Sequence, residues 1–264
     1  MHRSGPVRPK HTPAARLRQC DKQFWSARQA IAATEFALVL PILVILMLGS
    51  VEAARLIISA QRVTQVATTI VEMLSQTQAQ NPNETGTGIP WSVTYLDLDF
   101  AIESTMVIFP QILQDAAQKG ISWSNDISIS MAGVLFTPNP TTCTSNCSYI
   151  ANVVWNSGPN KRTCGVALTA VPDTSVPSKT TLPTDVFPTG APPGGGSIIV
   201  VDILYNYTPI FGLGFFGTIP IARSAYLAPR YVQPGATPGY IQYYTASGDD
   251  GIGAECPKYL PLIQ

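Results

Sequence analysis

Charge and histidine are both scarce in this chain of 264 residues. Asp, Glu, Lys and Arg make up only 12% of it, and the 16 basic side chains balance the 16 acidic ones. Both histidines, His2 and His11, stand near the N-terminus, so residues 31–264 contain none. That region therefore cannot use a Ser-His-acid or Cys-His mechanism, and it holds no Ser-x-x-Lys pair. We expect no enzyme and no cofactor, and the sparse, mixed charge argues against a nucleic-acid surface.

What the sequence does contain is a long apolar segment, Ala30–Val51, with one charge at Glu35. As a helix, its 22 residues would be about 33 Å long, which is enough to cross a hydrocarbon core of roughly 30 Å. A carboxylate early in an apolar helix is costly in lipid and usually marks a functional or partner-binding position. Pro41 is compatible with a membrane helix, because kinks are tolerated there.

The flanking charges predict how this segment is oriented. Residues 1–29 carry seven basic side chains against one acid, Asp21. Basic residues beside a membrane span stay in the cytoplasm, so we predict a cytoplasmic tail at 1–29, a transmembrane helix at 30–52 and an exported remainder. We interpret these basic residues as a topology signal that contacts anionic lipid. The alternative, a nucleic-acid-binding arm, is weaker.

Two other interpretations of the apolar segment are weaker. A buried core helix would not be apolar on every face and preceded by basic residues. A cleaved secretory signal would have an unusually long basic region, and Val51-Glu52-Ala53 is a poor cleavage site. A retained membrane anchor is the interpretation that we prefer.

The helix is predicted to continue past the membrane as an amphipathic extension at 53–80. Its apolar residues recur at alternating spacings of three and four: Leu56, Ala60, Val63, Ala67, Ile70 and Leu74. We expect this stripe to pack on the protein's own globular domain, with a partner helix as the alternative. Asn81-Pro82-Asn83 and Gly86-Thr87-Gly88 are predicted to stop the helix.

Cysteine placement agrees with an exported domain. Cys20 lies in the predicted cytoplasmic tail, and the other four lie beyond the membrane segment: Cys143, Cys147, Cys164 and Cys256. In an oxidising compartment these predict two disulfides, with three pairings open. Cys143 and Cys147 have a spacing that zinc ligands also use, but no histidine and no second close pair accompanies them, so we predict no metal.

We predict an α+β fold for the exported domain at 91–264. A helix is predicted from about 96 to 118, with Pro110 as a kink or break. Strands are predicted at 126–136, 149–155, 164–170, 197–207 and 219–227, the last two pairing with each other. The resulting fold class is α+β, with a long N-terminal transmembrane and amphipathic helix packed on a mainly antiparallel sheet.

Two stretches lack such patterns. Residues 171–196 carry six prolines and the run Gly194-Gly195-Gly196, and we predict a surface loop with no fixed fold there. The tail from Gln233 to Gln264 is predicted to wrap the surface, tied down by Cys256.

Four basic side chains of this domain are expected to be solvated or paired at the surface: Lys161, Arg162, Arg223 and Arg230.

Residues 28–43, RQAIAATEFALVLPIL, followed by Gly49-Ser50-Val51-Glu52-Ala53-Ala54-Arg55, resemble the start of TadE-like proteins. These are pseudopilins of the bacterial tight-adherence (Tad/Flp) pilus system. A weaker likeness covers 205–209 and 222–230, with Tyr205, Pro209 and a closing Pro229-Arg230.

The resemblance implies a single-pass inner-membrane protein with a cytoplasmic N-terminus and a periplasmic C-terminal domain. Its implied partners are membrane lipid, other pilin-like subunits, Tad secretion components and a prepilin peptidase. A prepilin-type cut would fall between Ala30 and Ile31, although Ala30 replaces the usual Gly. Glu35, Phe36 and Pro41 are then the helix-assembly residues.

In pilin-like subunits the carboxylate at the Glu35 position pairs with the N-terminal amine of a neighbour, which satisfies a buried charge. The plainer alternative is that Glu35 is an interfacial acid paired with Arg28.

The predicted function is assembly of an adhesive Tad/Flp-type pilus. The alternative is an anchored periplasmic binding or sensing module.

Overall fold

The computed structural model describes residues 28–77, 92–143, 145–172, 178–188, 196–211, 217–231, 241–244 and 253–256. The chain divides between Ala54 and Arg55 into two compact units. Most of the predicted cytoplasmic tail, the predicted helix-stop signals and much of the C-terminal tail lie outside the described residues.

Helix α1 runs from Arg28 to Ser75 and includes Pro41. In the second unit, the predicted stripe faces the core: Val63, Ala67, Ile70 and Leu74 are at most 1% exposed, and Leu56 and Ala60 pack against the same cluster. The prediction that this stripe packs on the protein's own domain is therefore confirmed. The helix ends at Ser75, whose carbonyl accepts a hydrogen bond from the Arg230 amide at 2.8 Å.

The central strands of the main sheet in the second unit are β2 (Ile127–Asn139), β3 (Ser148–Ser157), β6 (Ser197–Tyr207) and β7 (Ile219–Leu227). Strand β2 pairs antiparallel with both β3 and β6, and β6 pairs antiparallel with β7. The remaining strands of this sheet are short: β4 (Ala167–Val171), β5 (Thr181–Pro183) and β9 (Gly253–Glu255). The strand order is β5-β4-β3-β2-β6-β7, and β9 pairs with β3. The predicted α+β class is confirmed, as is the pairing of 197–207 with 219–227.

Parallel pairing occurs at two short edges. Strand β4 pairs with β5 in parallel, and β1 (Ser92–Thr94) pairs with β8 (Gln242–Tyr244) in parallel as a separate small sheet. The sheets are therefore mixed, although the central strands are all antiparallel.

Three short helices follow β1. Helix α2 (Tyr95–Ile108) starts with a capping box in which Thr94 and Asp97 satisfy each other's backbone amides. Helix α3 (Gln111–Lys119) ends at Gly120, whose φ of 67° is the left-handed C-cap that glycine adopts without strain. Helix α4 spans Trp123–Asp126. The predicted helix at 96–118 is thus two helices, broken at Pro110 as expected.

Two apolar clusters lie on opposite faces of the sheet. One holds α1, α2 and α3 side chains with Ile129, Val201 and Ile203, and the other holds Val134, Phe136 and Val153. The register between β2 and β3 shifts beside Gly133, so that Val154 is an extra residue in β3. This bulge lets Val154 and Trp155 both contact the helical cluster.

Three predictions for residues 91–264 were wrong. Residues 171–196 are not wholly without a fixed fold, because Leu182 in β5 is fully buried and Phe187 packs edge-on to Phe136. The tail does not merely wrap the surface, because Ile241 and Tyr243 are core residues. Arg162 is not solvated: it is 2% exposed and ion-paired with Asp202.

Candidate functional site

The first unit presents the apolar part of α1 with its side chains exposed. Glu35 and the residues around it are exposed, with Phe36 at 60% and Leu38 at 77%. Pro41 lies within the same continuous helix. Among the described residues, Ala33–Ser75 is the one helix whose length and composition would suffice to cross a membrane. An exposed apolar face of this kind is typical of a surface that contacts a membrane or another protein.

The predicted processing residues, Ala30 and Ile31, stand in the first turn of α1. Glu35 follows Ile31 by four positions in the same helix. Cleavage between Ala30 and Ile31 stays a prediction.

The four cysteines of the second unit form two pairs. Cys143 is bonded to Cys147, and Cys164 is bonded to Cys256. The second bond joins the segment before β4 to the residue after β9, across 92 positions of sequence. No cluster of metal-ligating side chains occurs among the residues that the structure describes.

Lys119 organises a polar cluster that sequence reasoning missed. Its Nζ donates to Asp115 Oδ2 at 2.7 Å, to Asp126 Oδ1 at 2.5 Å and to the backbone carbonyl of Asn206 at 2.6 Å. The Tyr205 hydroxyl donates to the same Asp115 oxygen at 2.6 Å. The cluster joins α3, α4 and the end of β6, and only the i, i+4 spacing of Asp115 and Lys119 was visible in the sequence.

Burial raises the pKa of two members of this cluster. It raises the pKa of Asp126 above its ordinary value, against the lowering effect of Lys119. It also raises the pKa of the Tyr205 phenol, and the neighbouring Asp115 carboxylate adds to that rise. Tyr205 is consequently a neutral hydrogen-bond donor at any physiological pH.

Beside this cluster lies a cleft of about 370 Å³. Helix α1 contributes Arg55 and Ile58, helix α3 contributes three glutamines, and the chain after β6 contributes Thr208 and Ile210. The α3 residues Gln111, Gln114, Asp115 and Gln118 share one face, because they are spaced by three and four. All of the residues that line this cleft belong to the second unit.

Comparison with known proteins places a family match on α1. Residues 30–71 match the family model described as TadE-like protein, so the predicted resemblance to that family is confirmed over this segment. A TadE-like segment points to a protein associated with the Tad pilus. No curated protein and no solved structure matches the chain.

Proposed function

We propose that this protein is a non-enzymatic, membrane-anchored pseudopilin that acts in the assembly of a bacterial adhesive Tad/Flp-type pilus. Helix α1 would cross the inner membrane once, with residues 1–29 in the cytoplasm and the second unit in the periplasm. The observation that carries the proposal is that the TadE-like match, residues 30–71, begins on the exposed apolar part of α1. Such a surface suits lipid and other apolar helices, rather than water.

Glu35 gives the proposed assembly its specificity. A carboxylate surrounded by apolar helices is stable only with a cation or hydrogen-bond donors beside it. A neighbouring pilin-like subunit would supply an N-terminal amine after cleavage by a prepilin peptidase. Phe36 and Pro41 would shape the apolar contact around that pair.

The test is photo-crosslinking of the full-length chain in bacterial membranes. A photoreactive residue at Leu38, which is 77% exposed, should capture other single-span, pilin-like subunits. Glu35→Ala should lose this crosslink, whereas Glu52→Ala, an acid on the same helix, should keep it. Crosslinks that are unchanged in Glu35→Ala would rule out the assembly role of this carboxylate.

N-terminal sequencing of the extracted protein separates the possible processing states. A start at Ile31 supports pilin-type cleavage, and a start at Met1 supports a permanent anchor. A start near Ala54 would mean that the apolar helix is removed, and it would refute the membrane-anchored function.

A further inference from the structure

The cleft beside α3 contains polar groups that the fold leaves unpaired. Arg55 is exposed, and it makes no hydrogen bond or ion pair with any residue that the structure describes. The Thr208 hydroxyl oxygen is shielded from solvent and also has no partner. A buried hydroxyl is normally satisfied, so this oxygen marks incomplete hydrogen bonding in the wall of the cleft.

Helix α3 lines the same cleft with neutral hydrogen-bond donors. Gln111, Gln114 and Gln118 line the cleft with amide groups. Asp115 lines it as well, but its Oδ2 already accepts hydrogen bonds from Lys119 and Tyr205. Arg55 is consequently the unpaired charge at this cleft, and the site suits a compact anion that accepts several hydrogen bonds.

The position of the cleft in the chain identifies where such an anion would come from. Arg55 follows Glu52, the predicted end of the transmembrane helix 30–52, by three residues. Three helical residues rise about 4.5 Å, and the headgroup layer of each leaflet is roughly 5–8 Å thick. Arg55 would therefore reach the layer that holds lipid phosphates.

We propose that this cleft binds the phosphate group of a membrane phospholipid. Arg55 pairs with the phosphate, the three glutamines donate hydrogen bonds to its oxygens, and Ile58 and Ile210 contact the apolar glycerol ester region. The choice of a lipid as the source of the phosphate rests on the membrane anchoring proposed above. The phosphate chemistry itself rests on the cleft alone.

The test uses the full-length chain in maltoside micelles, which contain no phosphate. Short-chain phosphatidylglycerol is added, and the retained lipid is counted by native mass spectrometry and titrated by phosphorus NMR. Arg55→Gln should weaken binding by about tenfold or more, because it removes a charge-assisted hydrogen bond.

Arg62→Gln is the matched control. Arg62 is an exposed arginine one heptad later on α1, its Nη1 donates to Gln65 Oε1 at 2.9 Å, and it does not line the cleft. Its variant should bind lipid as the natural chain does. Equal losses in Arg55→Gln and Arg62→Gln would indicate general charge attraction and overturn the proposal, as would no binding at all.

Glycerol 3-phosphate, which is water-soluble, distinguishes the two sources of phosphate. Binding as tight as that of the lipid would overturn a phospholipid ligand and leave a site for a soluble phosphate ester. Membrane retention after an alkaline wash tests the anchor separately. Loss of retention by the natural chain would refute the proposed function, whereas retention without binding in micelles would refute only the lipid site.

Discussion

The side chains of Arg162 and Asp202 form a two-point ion pair inside the domain. Arg162 Nε donates to Asp202 Oδ2 at 2.8 Å, and Nη2 donates to Oδ1 at 3.0 Å, with the residues 2% and 7% exposed. Ser224 Oγ donates to the same carboxylate, and Arg162 Nη1 donates to the Thr181 carbonyl. The pair therefore holds the short strand β5 to strands β6 and β7.

Replacing Arg162 should destabilise the domain strongly. Arg162→Met leaves the Asp202 carboxylate buried without its cation, and breaking a buried pair in this way costs about 3–5 kcal/mol. The measurement is the free energy of unfolding in denaturant, on the full chain in detergent. Lys161→Met is the control, because Lys161 is exposed and adjacent in sequence. A loss below about 1 kcal/mol, as for a surface pair, would contradict the buried role.

A second prediction concerns Gly133, over which the Trp155 ring lies. A Cβ atom at residue 133 would overlap with Trp155 Nε1, and that nitrogen donates to the Ile241 carbonyl at 3.0 Å. Gly133→Ala should displace the indole, lose that hydrogen bond and cost about 1–3 kcal/mol through overpacking. Indole fluorescence and thermal unfolding would show both effects.

Gly196→Ala is the matched control for this substitution. A Cβ atom at Gly196 meets nothing within 4 Å, so the variant should be as stable as the natural chain or more stable by about 0.4–1 kcal/mol. If Gly133→Ala behaved like Gly196→Ala, the close packing of Trp155 on Gly133 would be wrong.

Local patterns in the sequence predicted much of this fold. The three-four spacing from Leu56 to Leu74 identified the buried side of α1, and β-branched residues located β6 with the bounds that the structure has. Pro110 marked the break between α2 and α3. Each of these signals acts within one element, where side-chain period and backbone chemistry decide the outcome.

Long-range pairing could not be predicted in this way. Arg162 meets Asp202 across 40 residues, and Lys119 meets Asn206 across 87, so neither contact has a local pattern. The same holds for the cleft, where Arg55 and Thr208 come together only through the packing of α1 beside the end of β6. A charged residue is usually exposed, so sequence reasoning placed Arg162 at the surface.

The two disulfides should contribute unequally to stability. Cys164–Cys256 joins residues 92 positions apart, whereas Cys143–Cys147 joins residues four apart. In the chain-entropy model, the long loop stabilises by about 4–5 kcal/mol and the short loop by about 2 kcal/mol. The double variant Cys164→Ala/Cys256→Ala should therefore unfold at a lower denaturant concentration than Cys143→Ala/Cys147→Ala. The reverse order would show that the long bond does not constrain the unfolded chain.

The last prediction concerns pH and the Asp126 carboxyl. Burial raises its pKa above the ordinary value of 3.8, against the hydrogen bond and charge of Lys119, so the protonated form is favoured more in the folded state than in the unfolded state. The stability that this preference gives is full below pH 3.8 and is lost as the pH rises through the raised folded pKa. Asp126→Asn, which cannot ionise, keeps a neutral side chain at every pH. We therefore expect its stability relative to the natural chain to increase between pH 4 and pH 7.

Urea unfolding of both chains across that pH range is the measurement for Asp126. Asp185→Asn controls for the loss of one negative charge, since Asp185 is exposed on the 3₁₀ turn Thr184–Val186. The difference between Asp126→Asn and the natural chain should change with pH more than the difference for Asp185→Asn does. The opposite result would be a natural chain whose stability increased relative to that of Asp126→Asn as the pH rose. Lys119 would then be stabilising an ionised Asp126, and burial would not dominate its titration.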